Sequence, residues 1–236
     1  MIVGDGFMAR AFAPKFNDDP DTVIFASGVS NSLETSAASF ERERSLLKKM
    51  LARGAERFVY FGSCGVSIED AEPTQYMEHK KSMESTVLSS PGAVILRLPQ
   101  VVGVAKNSHT LTNFLRDRIQ SGEHFSVWSG AERNLIDIDD VVAIGTALIA
   151  NASVGPQAFS IAARQSFPMP EIVKIFERVL GRAANYSLEC RGCPLKIDAR
   201  LAIETGERLG IDLGAGYIER VVAKYYAPPH KTDLNG

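Results

Sequence analysis

The tightest constraint in this sequence is the space between two apolar runs. Met1-Ile2-Val3 passes into the turn Gly4-Asp5-Gly6, and a second run, Thr22-Val23-Ile24-Phe25-Ala26, follows after residues 7–21. Parallel neighbouring strands need a crossover of about a dozen residues, so one helix fits in this gap and nothing more. The turn has the form Gly4-x-Gly6-x-x-Ala9. Glycines there permit a tight turn and close backbone approach to a pyrophosphate. An alanine in the third position lets helix and strand pack closely, and the free N–H groups of the helix start face the anion. Ala11, Phe12 and Phe16 make the following segment compatible with a helix. A purely structural turn could use the same residues, but the strand and helix context favours dinucleotide binding.

Further along, short apolar runs alternate with amphipathic stretches. Strands are expected at 1–3, 22–26, 57–61 and 93–98, each rich in Val, Ile or Phe. They lack clean alternation, as strands of a parallel sheet buried on both faces should. Helices are expected at 33–53, 75–89, 111–121 and 171–180. In the first, Leu47, Met50 and Leu51 lie on one side and Glu41-Arg42-Glu43-Arg44 on another. In the last, Ile172, Ile175, Phe176, Val179 and Leu180 form one stripe between Pro170 and Gly181. From about residue 156 the pattern becomes irregular and reads as a small helical region over the C-terminal ends of the strands.

Composition narrows the classes. With 236 residues, 45% hydrophobic, 23% charged and a net charge of -2, the chain is an ordinary globular one, neither disordered nor drawn electrostatically to nucleic acid. No run approaches the ~20 apolar residues of a membrane span. The start reaches a glycine too soon for a signal peptide. Cys64, Cys190 and Cys193 are too few for a disulfide framework, which points to a cytoplasmic protein. Cys190-Arg191-Gly192-Cys193 does not join a strand to a helix as a redox motif would. His79, His109, His124 and His230 show no paired spacing, so no metal site is expected.

Two further signals carry chemistry. Tyr76 and Lys80, in Tyr76-Met77-Glu78-His79-Lys80, are four apart and share a helix face. An ammonium beside a phenol favours phenolate and should lower the tyrosine pKa from about 10, making Tyr76 a general acid/base for an alcohol or ketone oxygen. The alternative is a Tyr–Lys pair on a solvated face. Ser63 ends the run Phe58-Val59-Tyr60-Phe61-Gly62. It can donate to the same oxygen, or merely satisfy a turn.

The order glycine turn, strand-end serine, Tyr-x-x-x-Lys resembles the short-chain dehydrogenase/reductase superfamily, and its extended branch of sugar-nucleotide epimerases, reductases and dehydratases most of all. Ile95-Leu96-Arg97-Leu98-Pro99-Gln100-Val101-Val102-Gly103 is similar to the family strand after the catalytic helix, with Gln100 where asparagine is usual. Arg133-Asn134-Leu135-Ile136-Asp137-Ile138-Asp139-Asp140-Val141 is similar to the segment whose arginine contacts the nucleotide diphosphate. Phe159-Ser160-Ile161 and Leu209-Gly210 also fit, so the likeness spans residues 1–226.

The resemblance implies a Rossmann-like α/β fold, a doubly wound parallel sheet forming a single domain over 1–236, with 156–236 supplying most of a small substrate lobe. It implies Ser63, Tyr76 and Lys80 as the catalytic set. Gly4, Gly6, Phe7, Met8, Ala9, Ser27 and Lys80 would hold NAD or NADP, and Arg133 and Gln100 a nucleotide-sugar substrate. Arg133 alternatively forms a salt bridge to the 137–140 acidic cluster, which itself reads as helix N-terminal charge. Helices 33–53 and 75–89 occupy positions that pair between subunits in relatives, so a homodimer is expected.

One departure is large. The run 22–26 with Ser27-Gly28-Val29-Ser30 corresponds to the family's fourth strand, so strands two and three of the usual order are missing. With them goes the floor beneath adenosine. The order 3-2-1-4-5-6 remains sound without them, because strand one neighbours strand four, but strand one becomes a sheet edge. Three readings follow: a nicotinamide cofactor held weakly through pyrophosphate and nicotinamide, a site completed by another subunit, or a protein that binds a nucleotide sugar or dinucleotide without catalysis. Ser63-Cys64 also lacks the acidic pair of family dehydratases, which leaves reduction of a keto sugar or epimerisation.

Overall fold

The computed structural model describes residues 1–67, 73–104, 110–153 and 155–228; His109 and His230 lie outside them. In chain order the first half runs β1 (Ile2–Val3), α1 (Phe7–Phe16), β2 (Thr22–Phe25), α2 (Ala37–Leu51), β3 (Arg57–Ser63), α3 (Gln75–Leu88), β4 (Ala93–Leu98), β5 (Gln100–Val102) and α4 (Leu111–Ser121). The second half runs β6 (Phe125–Trp128), β7 (Glu132–Arg133), β8 (Leu135–Asp137), α5 (Ile138–Ala150), β9 (Gln157–Ser160), β10 (Phe167–Pro168), α6 (Met169–Leu180), β11 (Tyr186–Glu189), α7 (Arg200–Arg208) and α8 (Tyr217–Tyr226).

The central sheet is parallel throughout, in the order β1-β2-β3-β4-β9. Side chains of each strand alternate between two cores. On β2, Val23 and Phe25 pack with Phe58, Tyr60 and Ile95 against Leu47 and Met50 of α2 and Met83 and Val87 of α3. Ile24 points the other way and joins Val59, Val94 and Leu96 with Phe12 of α1 and Val141, Ile144 and Leu148 of α5. Every residue of β2 is therefore buried, and the sheet is doubly wound.

The shortened order is as the sequence implies: β1 runs beside β2, and among the described residues no strand pairs with its other edge. Residues after 156 also join the main layer. Residues 157–160 form the fifth strand of the sheet, hydrogen-bonded along β4, and α7 packs on α5 of the main layer. Two short strand pairs, β6 with β11 and β7 with β10, join residues before 156 to residues after it. Apolar strand content without a long-range partner cannot say which sheet a four-residue strand joins.

Local chemistry sets the ends of the elements that matter. Ser36 caps α2, its hydroxyl accepting from the Ser39 amide, and Thr74 does the same for α3 at Met77. Gly122 and Gly181 close α4 and α6 in the left-handed conformation. The outward faces of α2 and α3 are polar, with Glu41, Lys48, Lys49, Glu78 and Lys81 exposed.

Gly4 is fixed by geometry. Its φ is +114°, and a Cβ there would sit 2.6 Å from the Ala26 carbonyl oxygen. Gly4→Ala should therefore cost about 1–3 kcal/mol, a melting-temperature drop of several degrees in a thermal scan.

Candidate active site

Helix α3 turns one stripe into the protein: Tyr76, His79, Lys80, Met83, Glu84 and Val87, spaced at three and four residues. Tyr76 is 8% exposed and Lys80 3%. The pair is thus not on a solvated face. The Lys80 ammonium lies 5.9 Å from the centre of the Tyr76 ring and 5.0 Å from that of Tyr60.

What holds the ammonium is a carboxylate from the neighbouring helix. Glu43 Oε1 is 3.3 Å from Lys80 Nζ, and Lys80 also donates to the Tyr60 hydroxyl at 3.0 Å. Glu43 is fully buried and accepts three more hydrogen bonds: from the Tyr60 hydroxyl at 2.7 Å, the Val29 amide at 2.6 Å and His79 Nε2 at 2.9 Å. A carboxylate only accepts, so the proton of the last contact sits on Nε2. The His79 ring stacks on Phe40, 4.6 Å between centres. Burial opposes ionisation of Glu43, but the Lys80 charge and these hydrogen bonds outweigh it and hold the carboxyl below the ordinary range.

The same network reverses the expected effect on Tyr76. Burial, then the Glu43 charge, push the phenol up to about 12, while a hydrogen bond with the Ser63 hydroxyl pulls the other way. No lowering by the Lys80 charge offsets this. At neutral pH Tyr76 is therefore a protonated acid. Burial also drives the Lys80 ammonium below its usual value, with Glu43 and Glu84 opposing.

Ser63 ends β3 beside that phenol, and its Oγ also accepts from the Gly65 amide at 3.2 Å. That contact is the turn role expected of this serine. Cys64 next to it is buried, which raises its thiol to about 12 and leaves it unreactive.

The glycine turn adjoins this group through the end of β2. Gly4 packs on Ala26 and Ser27, and one residue on, a Cβ at Gly28 would lie 2.9 Å from Lys80 Nζ and 2.8 Å from Glu43 Oε1. Ser27 is held by Arg42, whose guanidinium donates to its hydroxyl and its carbonyl, both at 3.3 Å. Gly6 caps α1 with no side chain, no acidic residue occupies the first turn, and nothing lies within 4 Å of where its Cβ would be. Ala9 is buried against the sheet, Met8 packs on the same core, and the Phe7 ring covers Gly103 beyond β5.

Arg133 and Gln100 come from adjoining strands, since β5 pairs with β8 at Gln100 and Leu135. The Arg133 guanidinium is largely buried, which depresses its pKa, and donates to the Glu132 carbonyl at 2.7 Å. Among the described residues no carboxylate pairs with it. The acidic cluster is engaged elsewhere: Asp137 caps α5, Asp140 accepts from Tyr217 at 2.6 Å, and Lys224 bridges Asp137 and Asp139. Asn134, buried, clamps the segment by bonding Ala163 and Gln165. Among the described residues no group of three or more His, Cys, Asp or Glu could hold a metal, and no helix is long and apolar enough to cross a membrane.

The sequence model of the NAD dependent epimerase/dehydratase family matches residues 7–162. The chain belongs to this family. Solved structures similar to it include a dTDP-glucose 4,6-dehydratase from Bacillus anthracis in complex with NAD, at 12% identity and TM-score 0.69, covering 87% of this chain and 71% of that one. A Thermus thermophilus UDP-glucose 4-epimerase bound to NAD matches at 14% and 0.66, covering 93% and 82%. A Bacillus cereus UDP-glucuronic acid 4-epimerase, in complex with UDP-glucuronic acid and NAD, matches at 15% and 0.68, covering 87% and 74%. A search of curated protein sequences finds no match.

Within this member of the epimerase/dehydratase family, Glu43, Tyr60 and His79 are the residues that sequence reasoning missed. Glu43 stands inside Glu41-Arg42-Glu43-Arg44 and reads as a surface charge. The available signal was its spacing: Glu43, Leu47 and Met50 lie on one stripe, and all three are buried. Removing the carboxylate strands a buried ammonium, so Glu43→Ala should cost about 3–5 kcal/mol in a denaturant titration. Because the folded-state pKa of Glu43 lies below the ordinary 4.5, its contribution is complete above that pH and disappears as pH falls through the lower, folded value. Acid titration of the wild type should therefore show a stability loss below about pH 4.5 that is shallower in Glu43→Ala.

Proposed function

We propose that the protein is an NAD(P)-dependent oxidoreductase or epimerase acting on a nucleotide-linked keto sugar. The observation that carries this reading is the buried Tyr76 phenol, near enough to Ser63 for the serine hydroxyl to act on its acidity and one turn from Lys80 on α3. Functional groups of open α/β sheets gather at such strand ends.

The residues fit a nicotinamide dinucleotide. Gly6 leaves the first amides of α1 uncovered for a pyrophosphate, helped by the backbone at Phe7, Met8 and Ala9, with Gly4 shaping the turn. Ser27 and Lys80 face the remainder. The nicotinamide ring, when bound, supplies or accepts hydride. Tyr76 gives its proton to the sugar carbonyl oxygen in reduction, and Ser63 donates to the same oxygen. A phenol raised to about 12 is an acid at neutral pH, the state that reduction requires. Arg133, half-buried without a carboxylate partner among the described residues, suits the diphosphate of the substrate with its guanidinium fork, and Gln100 on the next strand offers an amide to the sugar.

A second reading, a non-catalytic nucleotide-sugar or dinucleotide binder, draws on the sheet ending at β1, which leaves no strand beneath an adenosine. A homodimer and a cytoplasmic location belong to the main proposal; the open edge of β1 invites cover by a second copy, and the three cysteines are free thiols.

Calorimetric titration with NAD(H), NADP(H) and a UDP-hexose separates the two readings: dinucleotide binding supports the enzyme, sugar-nucleotide binding alone the binder. Gly6→Ala should keep the melting temperature but weaken dinucleotide binding at least tenfold, because its methyl enters open space at the helix start. Tyr76→Phe should abolish turnover while affinity for both ligands stays within about twofold. Unchanged turnover would remove Tyr76 from the mechanism.

A further inference from the structure

The proposed chemistry asks Lys80 to be an ammonium fixed close to Tyr76, yet its position is a poor one for a charge. Lys80 is 3% exposed and surrounded by the rings of Tyr60 and Tyr76 and the backbone at Gly28. The ionisable groups facing it are Glu43 from α2, Tyr60 from β3, and Tyr76, His79 and Glu84 from α3. Glu84 is committed to Arg97 through two oxygens, at 2.7 Å and 3.2 Å. Tyr60 and Tyr76 are neutral phenols held protonated by burial. Glu43 remains as the counter-ion in contact.

Glu43 also reaches the opposite wall. Its second oxygen accepts from the Val29 amide, so the carboxylate spans from the backbone after β2 to the ammonium. Gly28 lies between them with no room for a methyl group. One carboxylate therefore fixes the loop that follows the glycine turn's neighbouring strand and the lysine that faces it.

Building on the catalytic reading above, we infer that Glu43 is a positioning residue: its ion pair fixes the Lys80 ammonium beside Tyr76, and its bond to Val29 fixes the cofactor-side loop over that ammonium. It touches neither substrate nor cofactor. Because among the described residues no strand lies beyond β1 to shape the rest of a dinucleotide site, this clamp holds the geometry of the nicotinamide half by itself.

NMR of the full chain labelled with ε-13C lysine tests this, with Lys80 assigned by its loss in Lys80→Gln. In the wild type Lys80 should stay charged between about pH 6 and 8. In Glu43→Gln the buried amine, without its counter-ion, should lose its proton within that window, and NADH affinity should fall as pH rises through it; Glu43→Asp should restore both. A residue that served stability alone would lower the melting temperature and leave the Lys80 titration where it was, and that result overturns the inference. Should Glu43→Gln fail to fold, Tyr60→Phe decides: Lys80 keeps its charge across the window if Glu43 holds it, and loses it if Tyr60 does, which would equally overturn the inference. Failure of the wild type to bind NADH would strike the catalytic reading instead, and the Lys80 titration would not change.

Discussion

A carboxylate that leaves water must recover its solvation from the protein, and in this chain Glu43 recovers it from three elements at once. The Val29 amide after β2, the Tyr60 hydroxyl on β3, and His79 with Lys80 on α3 converge on its two oxygens. Leaving any of these groups unpaired in the interior costs more than the pair returns in isolation. The relative placement of α2, α3 and the end of β2 is thereby tied to one ionic centre, and so is the site built on them.

That centre redistributes acid–base character. A lysine next to a tyrosine ordinarily favours the phenolate, yet here the leading influences on Tyr76 are burial and then the negative charge of Glu43. The result is a firmly protonated phenol with a serine hydroxyl beside it, suited to giving a proton to a carbonyl oxygen. Arg133 presents the contrasting case, a guanidinium brought into the interior without a carboxylate partner among the described residues. Lys80 is paired within the fold, and among the described residues Arg133 is not.

The loss of two strands has a defined structural consequence. The sheet still winds on both faces, because β1 neighbours β2 in the same relation that strands one and four have in the longer order. Gly4 still needs its positive φ and still packs on Ala26. Among the described residues no strand pairs with the outer edge of β1, and its two-residue length keeps little of that edge exposed for unwanted pairing.

Local pattern was enough for much of this. Spacing alone fixed the helix after the glycine turn, the four main strands and the absence of two more, since chain length bounds what can be threaded through residues 7–21. The Tyr76–Lys80 spacing put both on one face, and the strand-end position of Ser63 was readable from the apolar run before it. Tertiary structure decided which faces were inward. Glu43 and Arg42 are adjacent in a charged run, yet one is buried and the other exposed, because a helix rotates neighbouring residues by about 100° and only packing against β2 and α3 selects the stripe. The assignment of 157–160 to the main sheet, the freedom of Arg133 from the acidic cluster and the direction of the Tyr76 pKa were settled in the same way. Each depends on groups far apart in sequence, whose energies in a low-dielectric interior come from distance and burial, and a linear order of residues contains neither.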